Sequence, residues 1–188
     1  MDIAKMELAI ADFLHAAGVR LDITEEHLLN TPRRVAMAYA ELLTPPEFKF
    51  TTFSNGEKYD EIVLQTDIRF TSLCAHHLLA FSGVAHVGYI PHLQYVGLSK
   101  LSRTVDFFAH QLQIQERMTK QIGQFLEDKL QPLGVIVILV ASHSCMGIRG
   151  ARQPDALTKT SFITGVFKSA APARAEALEL IKMGVSRG

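Results

Sequence analysis

The chain has 188 residues, 48% of them apolar, with 19 basic and 19 acidic side chains and a formal net charge of zero. That length and apolar content fit one domain of ordinary size with a packed core, and they argue against general disorder. The charge balance argues against a broad nucleic-acid-binding face, and no apolar run approaches the ~20 residues that span a bilayer.

In chain order, Asp2 to Ala17 places Ile3, Met6, Ile10, Phe13 and Leu14 at helical spacing, and Gly18 follows as a stop. A second helical piece is expected from about Thr24. It is punctuated by Asn30-Thr31-Pro32, where Thr31 can cap and Pro32 can enter the first turn of a helix running to about Leu43. Residues 44–60 read as a connecting loop, so residues 1–45 are expected to form a helical segment and 46–188 the main body.

In the body the period changes. Strands are expected over Ile62 to Phe70 and Phe81 to Ile90, the second bounded by Pro91. Ser99 to Gln113 and Gln115 to Leu130 read as helices, with stripes Leu101, Val105, Phe108, Leu112 and Met118, Ile122, Phe125, Leu126. The run Val135 to Val140 reads as a strand buried on both faces. Ser161 to Phe167 reads as a fourth strand, and Pro172 to Met183 as a terminal helix. The order β-β-α-α-β-β implies an α+β architecture, a four-stranded antiparallel sheet with helices on one face and an N-terminal helical extension. Its open edges and second face favour self-association.

The N-terminus carries acids and lacks the layout of a signal peptide, so a cytoplasmic location, where disulfides are rare, is expected. Cys74 and Cys145, the two cysteines of the chain, then read as buried thiols, nucleophiles or metal ligands. Cys74-Ala75-His76-His77 follows the first strand, and its Cys-x-x-His spacing lets a thiolate and an imidazole reach one ion. His143-Ser144-Cys145 ends the third strand. If the strand ends meet, Cys74, His77 and Cys145 supply three ligands and leave a position for water, which zinc acidifies for attack on an electrophilic carbon. His76 and His143 are then free to move protons. Two other readings stay open on spacing alone: core cysteines beside surface histidines, and a structural zinc site with His76 or His143 as fourth ligand.

An ordered set of segments resembles the GTP cyclohydrolase I family. The markers are Thr31-Pro32-Arg33-Arg34-Val35-Ala36, Cys74-Ala75-His76-His77-Leu78-Leu79, Gly88-Tyr89-Ile90-Pro91, Gly97-Leu98-Ser99-Lys100, Gln113 to Thr119, and His143 to Gly150. The resemblance implies the tunnelling fold and a homodecamer of two stacked pentamers with active sites at subunit boundaries. It also implies a reaction in which GTP and water give formate and 7,8-dihydroneopterin triphosphate. By the same resemblance, Cys74, His77 and Cys145 match zinc ligands, and His76 and His143 match proton-transfer residues. Gln115 and Glu116 match the purine-binding pair, and a carboxylate suits the adjacent N–H donors of guanine. Lys100, Arg103, Arg149 and Arg34 match triphosphate-binding positions, and Ser99 a hydroxyl near the sugar. Each also has a plainer reading: a helix-surface acid for Glu116, a solvated charged face for the cations, a helix cap for Ser99.

The chain departs from the family pattern at Ala75, where a glutamate is usual, and at Val140, where an acid is usual. The joint absence suggests that the two acids form one network in the family. Residues 156–160 and 109–111 also differ. A specialised paralogue is therefore a second expectation: it would release a ring-opened formamidopyrimidine, or bind nucleotide as an oligomer without turnover. A zinc nucleobase deaminase needs His-x-Glu and Pro-Cys-x-x-Cys, and the chain has neither.

Overall fold

Asp2 accepts a hydrogen bond from the Lys5 amide at 3.1 Å and so caps the first helix, α1 (Ile3–Ala16). The computed structural model describes residues 1–21 and 26–184. Gly18, at φ 79°, makes the left-handed exit from α1 that its sequence position suggests. α2 (Glu26–Leu29) and α3 (Thr31–Leu42) follow; the expected helix start at Thr24 lies outside the described residues. Pro32 sits in the first turn of α3, but the cap position is Asn30. The Thr31 hydroxyl instead donates back to the His27 carbonyl at 3.5 Å. These helices form one compact unit, Met1–Thr44, in which α1 packs on α3.

The second unit, Pro45–Gly188, holds the sheet. Its elements are β1 (Thr52–Ser54), β2 (Val63–Cys74), β3 (Ala80–Ile90), β4 (Gln94–Val96), α4 (Ser99–Ala109), β5 (Leu112–Gln113) and α5 (Gln115–Leu130). They continue with β6 (Gly134–His143), α6 (Ser144–Gly147), β7 (Leu157–Ile163), α7 (Gly165–Ser169) and α8 (Ala171–Gly184). The β-β-α-α-β-β core of the tunnelling fold is present as β2, β3, α4, α5, β6 and β7. The antiparallel strands β2-β3-β6-β7 gain a two-residue parallel edge, β5, giving the order β5-β2-β3-β6-β7; β1 and β4 pair separately.

Several boundaries differ from the sequence reading. β2 runs on to Cys74, so this cysteine ends the strand rather than following it. α4 stops at Ala109, which leaves Leu112 in β5 and exposed rather than on the apolar helix stripe. β7 begins at Leu157 and ends at Ile163, and residues after Thr164 turn into α7 through Gly165 at φ 52°.

The β-branched run on β6 explains the layering. Val135, Ile136, Val137 and Leu139 are all fully buried, alternating between two apolar clusters. On one face Val135, Val137 and Leu139 meet Leu101 and Val105 of α4 and Met118, Ile122 and Leu126 of α5. On the other, Ile136 joins Phe167 of α7 and Ala177 of α8 in a smaller cluster. β2 carries a bulge between Gln65 and Ile68, with Asp67 at φ 56°. There the Asp67 amide donates to Nδ1 of buried His86 at 3.3 Å, and burial pushes the imidazole pKa below its ordinary value.

The β3–β6 seam is unusually close at Gly83. A β-carbon there would lie 1.9 Å from the Val140 carbonyl oxygen and 2.7 Å from Ala141 Cα, both backbone atoms of a central strand. Gly83→Ala should therefore destabilise the fold by about 3 kcal/mol, the upper end for overpacking in a core. The lowered urea midpoint of far-UV circular dichroism measures it, and an unchanged midpoint would show that the seam can part. Among the described residues no helix is long and apolar enough to cross a membrane.

Candidate active site

The end of β2 is built to turn. The Cys74 carbonyl accepts from the amides of His77 (3.3 Å) and Leu78 (2.9 Å), while the Cys74 amide donates to the Leu79 carbonyl at 2.9 Å. Leu78, at φ 56°, takes the left-handed step that closes the loop into β3. This single turn carries residues 74 and 77 on one side. β5 braces it: the Ala75 amide donates to the Gln113 carbonyl at 2.9 Å. Gln113 is itself fully buried, its amide donating to the Phe108 carbonyl (2.8 Å) and to Gln121 Oε1 (2.9 Å).

Antiparallel pairing then brings in the distant cysteine. Phe81 on β3 lies opposite His143 on β6, so the chain leaving β6 enters α6 beside the turn after β2. The donor atoms of Cys74, His77 and Cys145 all lie within 4.8 Å of one another. Cys74 is buried, Cys145 half-buried and His77 exposed, so the group faces solvent on one side. Burial pushes the Cys145 thiol pKa up, and the facing Cys74 pushes it further. Two thiolates at this separation repel unless a cation lies between them. Soft sulfur and imidazole donors in a set of three suit zinc with one position left for water.

A cavity of about 290 Å³ adjoins this group, lined by Cys74, His76, Gln113, Ile114, Gln115, Glu116, His143, Cys145, Met146 and Thr158. His76 Nδ1 is 3.9 Å from Cys74 Sγ. His143 stacks on Phe81 with ring centroids 4.6 Å apart and planes 2° apart, and its Nε2 is 2.8 Å from Gln115 Oε1. Burial lowers the His143 pKa, opposed by the Glu116 charge. Glu116 is exposed in the first turn of α5, whereas Gln115 is 1% exposed. The sequence reading missed Gln113, Ile114, Met146, Thr158 and the stacking partner Phe81; only strand register could have found Phe81.

A family model described as GTP cyclohydrolase I matches residues 6–182. The chain belongs to the GTP cyclohydrolase I family. As a member of that family it is an enzyme. It is 48% identical over 186 residues to a GTP cyclohydrolase 1 of Mycolicibacterium gilvum, covering 96% of this chain and 91% of that one. It is 45% identical over 181 residues to a GTP cyclohydrolase 1 of Sulfurihydrogenibium, covering 96% of each. Among solved structures, the archaeosine synthase QueF-Like in the apo form aligns over 57% of this chain and 97% of that chain, with TM-score 0.48 and 16% identity.

Of the residues matched to the GTP cyclohydrolase I family by motif, the cavity gathers Cys74, Cys145, His76, His143, Gln115 and Glu116. Ala75 and Val140 do not line it. On β6, Val140 alternates with the residues that face α4 and α5, so it lies on the other face from His143. Arg149 follows α6, exposed and near enough to Cys145 for its charge to act on the thiol. Ser99, Lys100 and Arg103 do not line the cavity; they occupy the first turns of α4, the opposite end from β5 and the metal group. Leu98, not Ser99, holds the cap position. Arg34 lies on α3 of the N-terminal unit.

Proposed function

We propose that this chain is a zinc-dependent GTP cyclohydrolase I that hydrolyses the imidazole ring of GTP at C8, releasing formate and forming 7,8-dihydroneopterin triphosphate. One observation carries the reading: three ligand atoms lie within 4.8 Å of one another, and two of the three residues, Cys74 and Cys145, line a cavity that also holds two histidines and a carboxylate. Zinc, when held by Cys74, His77 and Cys145, supplies acidified water at neutral pH.

The remaining work belongs to the side chains. Glu116 accepts from the adjacent N–H groups of the guanine edge, which orients C8 toward the metal group. His143 and His76 carry protons to and from the purine nitrogens as the ring opens. Burial favours the neutral form of His143, which suits it to take a proton first. Lys100, Arg103, Arg149 and Arg34 bind the triphosphate, with Ser99 near the sugar.

Helix length bears on assembly. α4 has 11 residues, so its two ends stand roughly 16 Å apart at 1.5 Å per residue. Lys100 and Arg103 thus stand roughly 14 and 9 Å along the axis from the end of α4 that leads to β5 and the metal group. This supports a site completed by a neighbouring copy, as in the expected decamer of two pentamers. We assign the protein to the cytoplasm and its product to pterin and folate synthesis on the same footing.

The test is product analysis by mass spectrometry after incubating the zinc-loaded protein with GTP. Formate with the triphosphate pterin is the expected result. A ring-opened formamidopyrimidine would make the protein a paralogue that stops early, and unchanged GTP with bound zinc would make it a non-catalytic binder.

A further inference from the structure

The hydrogen bonds around Gln115 have a definite direction. Its amide nitrogen lies 3.0 Å from the Thr158 carbonyl oxygen, 3.3 Å from the Leu139 carbonyl oxygen and 3.2 Å from Thr160 Oγ1. Carbonyl oxygens only accept, so the side chain cannot be flipped without setting oxygen against oxygen twice. Thr160 is fixed in turn. Thr119 Oγ1 donates to the Gln115 backbone carbonyl at 2.7 Å, so the 2.6 Å contact between the two threonines has Thr160 as donor. The Thr160 oxygen is left to accept from Gln115.

Gln115 Oε1 is therefore the atom that faces His143, 2.8 Å from Nε2. It carries no proton, so Nε2 must. The Phe81 stack holds the ring plane, and this hydrogen bond selects which edge of the ring faces α5.

We propose that Gln115 is a positioning residue that locks neutral His143 in the Nε2–H tautomer, leaving the Nδ1 lone pair as the site that takes a proton, and that its side chain is not a purine contact. The proposal rests on His143 being a proton carrier, the reading given above. Side-chain burial agrees: Gln115 borders the cavity, but it is 1% exposed and both ends of its amide are already engaged within the protein. The purine role of the pair falls to Glu116. The hydrogen bond that one ring nitrogen of a histidine makes sets which of the two carries the proton.

Two measurements on the zinc-loaded full chain test this. Nitrogen-15 histidine NMR without GTP, with His143 assigned by comparison with His143→Asn, should show the Nε2–H tautomer in the wild type and a mixture in Gln115→Met. A wild-type ring in the Nδ1–H form would overturn the proposal even if the variant did not fold. Kinetically, Gln115→Met should lower kcat by about 10²-fold, the low end for general acid–base catalysis, with KM for GTP within about 3-fold. A raised KM with kcat retained would instead make Gln115 a purine contact. A wild type with the Nε2–H ring that opens no GTP would sink the functional reading and leave the tautomer assignment standing.

Discussion

Cys145→Ala should lose its metal and its formate release together while keeping its fold. Changes to groups that merely orient a metal ligand cost about 10–100-fold in affinity, so deleting one of three ligands costs more than that. Activity falls further, because water that no metal acidifies is far too weak an acid to supply hydroxide at neutral pH. The fold is spared because Cys145 is half-buried on α6, a four-residue helix at the rim, and the change removes only sulfur. The check is zinc per chain by elemental analysis after dialysis, beside formate release and far-UV circular dichroism. Full zinc retention in the variant would place the metal elsewhere.

His143→Asn is the second large effect. Zinc should remain, since His143 lies outside the ligand set, and KM for GTP should change little. The loss should appear in kcat, about 10²- to 10⁴-fold, as expected when a positioned proton carrier is removed. Asparagine keeps a polar group near Gln115 Oε1, so that acceptor is not stranded in the interior. Single-turnover formate release measures the chemical step directly. An unchanged single-turnover rate would give the proton work to His76 alone.

Much of this was legible in the chain. The two cysteines could be paired on paper because each lies next to the end of an expected strand and no third competes. The Gln115 to Leu130 helix was readable to the residue, since its apolar period is regular and Pro132 and Gly134 follow it. Short pieces were not. β4 and β5 have three and two residues, too few to show a period, and β5 exists because Gln113 is buried by groups on α4 and α5. The role of Gln115 was illegible for a related reason: its partners Thr158 and Thr160 lie 43 and 45 residues away and converge only through the β6–β7 pairing. The basic residues were readable as a set but not as a place, because chain order does not say that Lys100 and Arg103 on α4 stay outside the cavity that Cys74 lines.

The Gly83 seam has a consequence for how the site comes apart. It tightens the same β3–β6 ladder that sets Phe81 against His143, so amides along residues 81–85 should exchange with deuterium only on global opening. The turn from Ala75 to Leu79 is held by a handful of rim hydrogen bonds and is mostly exposed, so it should exchange by local fraying. The His143 side of the site is thus as durable as the whole protein, and the turn that carries His76 and the ligand His77 is not. On slow heating or chelation the enzyme would pass through a folded, metal-free state in which His143 still stands in its place.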